Sequence, residues 1–152
     1  MSIAQSESTI VREILIDAPA SKIYAALTDP NQLTQWWGSD DQYRTAKMTA
    51  DLRVGGRWRT TGTGKDGQNF AVEGEYRIVQ PPHLLEFTWR HDWGGTDNVE
   101  TVVRYDLIEE NGSTLVRVTH SGFQSEESRD DHGRGWAQVL GWLKRYVATA
   151  AA

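Results

Sequence analysis

The 152 residues contain no cysteine, which excludes disulfides, thiolate nucleophiles and cysteine-ligated zinc. Basic residues are in deficit, 16 against 21 acidic ones, for a net charge of −5. No basic stripe of the kind that follows a phosphate backbone is present, so nucleic acid is not an expected partner. No stretch approaches the roughly 20 apolar residues of a membrane span. Met1 to Glu7 has neither the apolar run nor the cleavage site of an export signal, and a cytoplasmic location is expected. Asn111-Gly112-Ser113, formally a glycosylation sequon, then reads as a turn.

Tryptophan, by contrast, is abundant: Trp36, Trp37, Trp58, Trp89, Trp93, Trp136 and Trp142 fall in five separate segments. A large aromatic needs an apolar setting and a partner for its indole N–H, so this recurrence implies a shared interior. The chain is long enough for one domain with a real core and too short for two of typical size. One domain is expected over residues 10–148, between a flexible N-terminus, 1–9, and a C-terminal tail, 149–152.

Ile10 to Asp17 alternates as a strand. Asp17-Ala18-Pro19-Ala20-Ser21 opens a short helix over Lys22 to Thr28, and Asp29-Pro30 starts a second, Asn31 to Trp37, which Gly38 ends. From Arg44 the period changes to two, with Gly, Pro and Asn-Gly punctuation between six segments near 44–52, 56–63, 69–79, 84–92, 98–109 and 114–123. Ser125, Glu126 and Glu127 open a last helix on which Trp136, Val139, Leu140, Leu143 and Val147 form one stripe. That stripe must cover the sheet. The fold class is therefore α+β, with a seven-stranded antiparallel sheet in the order β-α-α-β6-α.

The turns fix the strand register. Asn111-Gly112 pairs Glu110 with Ser113, hence Val103 with His120 and Thr101 with Gly122. Lys65-Asp66-Gly67 pairs Gly64 with Gln68 and Trp58 with Gly74. Closure through Gln80-Pro81-Pro82-His83 pairs Val79 with Leu84 and sets Trp89 on the other side of Gly74. One inner row then reads Trp58, Gly74, Trp89, Thr101 and Gly122. A second reads Tyr76, Phe87, Val103 and His120, with Val72, His91 and Val99 beyond the first. Glycine beside large aromatics lets rings lie across a sheet. His91, His120, Thr101, Tyr76 and Tyr105 share the inward phase, and burying so many polar groups is costly unless water or a ligand meets them.

Gly62-x-Gly64-x-x-Gly67 matches a dinucleotide fingerprint in letters only, because a strand rather than a helix follows it. Asp130-Asp131-His132 is expected on a solvated helix face. His91 and His120 stand two strands and two rows apart, roughly 15 Å, and cannot share a metal. No nucleophile elbow or placeable Ser-His-Asp set is present. No metal or cofactor is expected.

Ile14-Leu15-Ile16-Asp17-Ala18-Pro19, Ala25-Ala26-Leu27-Thr28-Asp29-Pro30 and Gln35-Trp36-Trp37-Gly38 resemble the opening of the activator of heat-shock-protein-90 ATPase homologue-like family, within the START and birch-pollen-allergen-like (SRPBCC) superfamily. Asp51 to Trp58, Gly74-Glu75-Tyr76 with Pro81-Pro82, Phe87-Thr88-Trp89, Thr119 to Phe123 and Gly135-Trp136 continue the likeness. It extends from about Ile10 to Val147. The resemblance implies a helix-grip fold, in which a curved sheet wraps a long C-terminal helix and two short helices close one end. It also implies a cavity between sheet and helix, used across the superfamily for lipids, hormones or polyketides and in some branches for cyclisation or hydrolysis. The branch name implies chaperone activation; the eukaryotic activator, however, carries an additional N-terminal chaperone-binding domain for which this chain has no room. Gly133, Gly135 and Gly141 in the last helix are expected to mark close approach to the sheet or a locally unwound mouth.

The leading expectation is a protein that binds a small hydrophobic or aromatic molecule through Trp37, Trp58, Tyr76, Phe87, Trp89, Tyr105, His120, Trp136 and Leu140. An alternative is a cyclase- or hydrolase-type enzyme using His120 or His91 as acid or base. Another is an interaction module, for a chaperone or as a homodimer, with Trp93 and Trp142 as an exposed apolar pair.

Overall fold

The computed structural model describes residues 8–39, 42–91 and 100–150. Strand β1 (Thr9–Ile16) leads into helices α1 (Ala20–Thr28) and α2 (Pro30–Trp36). Seven further strands follow: β2 (Gly38–Ser39), β3 (Tyr43–Ala50), β4 (Arg57–Gly64), β5 (Asn69–Gln80), β6 (Leu84–His91), β7 (Thr101–Glu110) and β8 (Ser113–Ser121). Helix α3 (Glu126–Ala150) ends the described chain. The strands form one curved antiparallel sheet ordered β1-β8-β7-β6-β5-β4-β3-β2. Among the described residues it has eight strands, where seven are expected from sequence. The extra one is the two-residue β2, formed because Gly38, at φ +134°, turns the chain out of α2 and back along β3. A Cβ at Gly38 would collide with the Tyr43 carbonyl, so only glycine fits this return.

Local chemistry sets the helix starts. The Asp29 carboxylate accepts from the Asn31 N–H at 3.0 Å, with Pro30 at the first position of α2. Ser125 Oγ accepts from Ser128 N–H at 3.1 Å, and Glu126 and Glu127 face the positive end of the α3 dipole. α1 has no side-chain cap of its own; Glu109 at the end of β7 reaches across to its Ala20 N–H at 2.7 Å.

The turn-derived registers hold where they place the interior. Trp58 pairs with Gly74, Tyr76 with Phe87, Val72 with His91, Val103 with His120 and Glu110 with Ser113. Trp89 pairs with Thr101. One end differs: Val79 pairs with Leu85 rather than Leu84, because the register shifts by one between Tyr76 and Ile78. The irregularity absorbs one residue, so the hairpin closes at Gln80 and Leu84 without disturbing the inner rows. Val99, Trp93 and the rest of 92–99 lie outside the described residues, as do 1–7 of the expected flexible N-terminus and 151–152 of the tail.

α3 lies across the concave face and packs principally on β1. Its stripe Trp136, Val139, Leu140, Leu143 and Val147 is buried together with Ile10, Ile16, Val103, Val116 and Val118. The helix runs unbroken through its three glycines, so none marks an unwound mouth. Gly133 does mark close approach, since a Cβ there would sit 2.8 Å from the Arg12 guanidinium. At Gly135 and Gly141 a Cβ meets nothing within 4 Å. Gly141→Ala should therefore stabilise the fold by about 0.5–1 kcal/mol, the helix-propensity difference. Thermal denaturation should show a rise in Tm of about 1–4 °C, and an unchanged or lowered Tm contradicts the open environment assigned to this position.

Candidate functional site

Between the concave sheet face and α3 lies a pocket of about 870 Å³. Trp58 of β4, Tyr76 of β5, Phe87 and Trp89 of β6 and Tyr105 of β7 form its floor, and Trp37, just after α2, and Trp136 of α3 line it beside them. These rings make one continuous aromatic surface. Trp58 lies edge-on to Phe87 at 5.2 Å and 5.9 Å from Trp89, while Trp37 and Trp89 stand 5.7 and 5.8 Å from Trp136. Gly74 makes room for this arrangement: a Cβ there would strike the Thr88 carbonyl and come within 2.8 Å of Trp58 Nε1. At this point Thr88 Oγ1 accepts from the Glu75 N–H at 2.8 Å, supplying a partner for the backbone group. The charged and amide side chains Asp66, Gln68, Asn69, Asp131, Arg134 and Gln138 line the pocket from the β4–β5 hairpin and from α3.

Seven of the nine sequence-derived ligand-binding candidates line the pocket: Trp37, Trp58, Tyr76, Phe87, Trp89, Tyr105 and Trp136. His120 and Leu140 do not. Leu140 is buried beside the pocket, where Val139 takes the wall position, because one residue on a helix is a rotation of about 100°. Tyr43, Thr45 and Met48 of β3 also line it, as do Thr60, Val72, Leu85 and the helical Leu27 and Leu33. A register shift between Thr45 and Lys47 brings Met48 inward, and nothing in the alternation of β3 signals that slip. Trp36 lies outside the pocket, its indole donating to the Ala26 carbonyl at 2.9 Å. Trp142, expected at the surface, is half-buried and edge-on to Tyr43 at 5.8 Å.

His120 sits behind the aromatic wall, fully buried. Trp136 Nε1–H donates to its Nδ1 at 2.9 Å, so the proton of the neutral ring is on Nε2, which donates to Thr101 Oγ1 at 2.6 Å. The Thr101 hydroxyl in turn donates to the Trp89 carbonyl at 3.2 Å. Every donor in this relay has one acceptor, and the relay ties α3 to the middle of the sheet. Both His120 nitrogens are engaged, so proton exchange with a substrate would require breaking a buried hydrogen bond.

His132 was expected to face solvent and does not. Its neighbours Asp130 and Asp131 are exposed and pair with Arg129 and Arg134, but the half-buried His132 ring packs on His91 at 5.2 Å, His120 at 5.3 Å, Phe123 at 5.0 Å and Trp89 at 6.3 Å. The reason is helical phase: residue 132 precedes Trp136 by one turn and shares its inward face. Its Nδ1–H donates to the Ser128 carbonyl at 2.9 Å, leaving Nε2 as the lone-pair nitrogen. Three histidines thus form a row on one side of the pocket, with only His132 among the pocket-lining residues. Among the described residues, no group of three or more His, Cys, Asp or Glu side chains is arranged to hold a metal ion.

Electrostatics agree with the relay. Burial first, and then the nearby His132 and His91, hold the His120 pKa well below the usual imidazole range. Burial likewise pushes the Tyr43, Tyr76 and Tyr105 phenols up, so all three keep their protons near neutral pH.

A curved antiparallel sheet gripping a C-terminal helix, with two short helices at one end, is the helix-grip fold and is consistent with the SRPBCC superfamily. The chain belongs to the family described as Activator of Hsp90 ATPase homolog 1-like protein, whose model matches residues 17–148. Solved structures agree in fold. A Rhodobacter sphaeroides protein aligns at TM-score 0.80 and 24% identity, over 97% of this chain and 96% of that one. An AHSA1-like protein from Aeromonas hydrophila aligns at TM-score 0.76 and 26% identity, over 94% of each chain. DynU16, described as a protein in the dynemicin biosynthetic locus, aligns at TM-score 0.75 and 22% identity, over 94% of this chain and 48% of its own. No curated protein matches the sequence.

The relay makes stability depend on pH. Above about pH 6.5 an unfolded imidazole is neutral, as folded His120 is, and the relay's contribution is complete. Below that, the unfolded chain takes up a proton that the folded chain refuses until the depressed pKa is reached, so stability falls as pH drops from about 6.5. His120→Phe should cost about 1–3 kcal/mol at pH 7.5 by stranding the Trp136 N–H. It should also lose less Tm than the native chain between pH 7.5 and 5.5; equal losses would show that His120 does not resist protonation.

Proposed function

We propose that this protein binds a small hydrophobic or aromatic molecule in the pocket between the sheet and α3. The carrying observation is the pocket itself: about 870 Å³, walled by rings on rigid elements, with polar groups both on its walls and nearer α3's charged turn. Sites for small molecules commonly enclose roughly 300–1,000 Å³ and join apolar walls to a few fixed polar groups. A core of this size left unfilled would forfeit a large amount of packing. The shared fold with a protein of a biosynthetic locus is in keeping with such a role.

The reading has a direct test at Gly135, which lines the pocket and has open space where a Cβ would lie. Four tryptophans line the same space, so binding of a fluorescent aromatic probe such as 1-anilinonaphthalene-8-sulfonate should quench intrinsic emission saturably. Gly135→Leu should retain the fold, by circular dichroism, and weaken probe binding at least about tenfold, which corresponds to about 1.4 kcal/mol. Absence of saturable binding to the native chain, or equal binding by the variant, refutes the proposal.

A further inference from the structure

We infer, resting on the reading that this pocket binds a small molecule, that its ligand is an uncharged ring compound presenting a carbonyl-type acceptor oxygen to the inner wall. Three buried polar atoms of that wall carry a hydrogen to donate and lack a partner among the described residues. Trp58 and Trp89 are 5% and 8% exposed, and neither buried indole N–H has a hydrogen-bond partner among the described residues. An indole nitrogen can only donate. The Tyr105 hydroxyl, on a residue 2% exposed, is likewise without a partner among the described residues, and burial keeps it protonated. The Tyr43 hydroxyl already accepts from Trp37 Nε1–H at 2.9 Å, so its own proton is the part left to give.

Trp58 and Trp89 lie 5.9 Å apart on β4 and β6, and Tyr105 is two inward rows from Trp89 on β7, with Phe87 between Trp58 and Tyr105 at 5.2 and 6.0 Å. Buried donors without acceptors are costly, and donors collected around one aromatic floor need a ligand that brings acceptors. A carbonyl oxygen carries two lone pairs and meets two donors at once. A hydrocarbon would leave every donor unmet. An ammonium would add donors to donors, and a carboxylate would surrender its hydration to neutral groups, because the charged side chains Asp66, Asp131 and Arg134 belong to the hairpin and α3 rather than to this floor. Arg134 is, moreover, already paired with Asp131.

Isothermal titration calorimetry of the full chain with fluorene, 9-fluorenone and 9-aminofluorene tests this, since the three share one ring frame and differ at one carbon. Fluorenone should bind at least about tenfold tighter than fluorene, the order of one or two neutral hydrogen bonds. That advantage, the ratio of fluorenone to fluorene affinity within each protein, should fall below about threefold in Trp89→Phe and Tyr105→Phe. Equal affinity for fluorene and fluorenone, or tightest binding of the amine, overturns the acceptor assignment while leaving a binding pocket in place. An advantage that survives in both variants overturns it too, because the donors would not be these. Binding of none of the three, together with no saturable binding of the anilinonaphthalene probe, overturns the pocket reading and this inference with it.

Discussion

The interaction on which the interior depends is the buried relay from Trp136 through His120 and Thr101 to the Trp89 carbonyl. Hydrophobic burial presses α3 onto the sheet, but burial is non-directional and would accept many rotations of the helix. The relay accepts one. Each of its polar groups is removed from water, so a slipped register would strand several donors at once. It also fixes the proton of His120 on one nitrogen, while burial first, and then the nearby His132 and His91, make the ring resist a second proton. Protonation and helix docking are therefore coupled through one side chain.

From that constraint the pocket follows. Trp136 is held by its N–H on His120, with its ring 5.8 and 5.9 Å from Trp89 and Tyr105, while Trp37 is held by its N–H on the Tyr43 hydroxyl. The floor rings rise from sheet strands whose spacing the backbone ladder sets, with Gly74 leaving the room that Trp58 needs. Aromatic side chains have few rotamers and do not rearrange to fill a gap as methionine or leucine would. The volume between them is thus maintained by tethered walls and by stiff rings, and the structure has no ready way to collapse into it.

The sequence was most legible where two periodic signals met. Period-two alternation gave the inward face, the Asn111-Gly112 and Lys65-Asp66-Gly67 turns gave the register, and together they placed Trp58 by Gly74 and Val103 by His120. What escaped was aperiodic. The two-residue β2 is too short to show alternation, and the shifts near Thr45 and Tyr76 carry no composition signal. His132 was legible in principle, one helical turn before Trp136, but its acidic neighbours suggested a solvated face. The inward phase of His120 could be read from the strand; its engagement on both nitrogens could not, because that requires knowing where a ring on α3 arrives.

Five of the seven tryptophans divide by what holds them. Trp36, Trp37 and Trp136 lie on or beside helices, whose rotation the backbone alone does not fix, and each donates its N–H to another part of the protein: the Ala26 carbonyl, the Tyr43 hydroxyl and His120. Trp58 and Trp89 lie on central strands, where ladder hydrogen bonds already fix position, and neither indole N–H is used as a tether among the described residues. A side chain already positioned by its backbone keeps its polar group for something else. On that argument the same residue type stands in two settings, tethering elements where they could shift and leaving its N–H unused among the described residues where they could not.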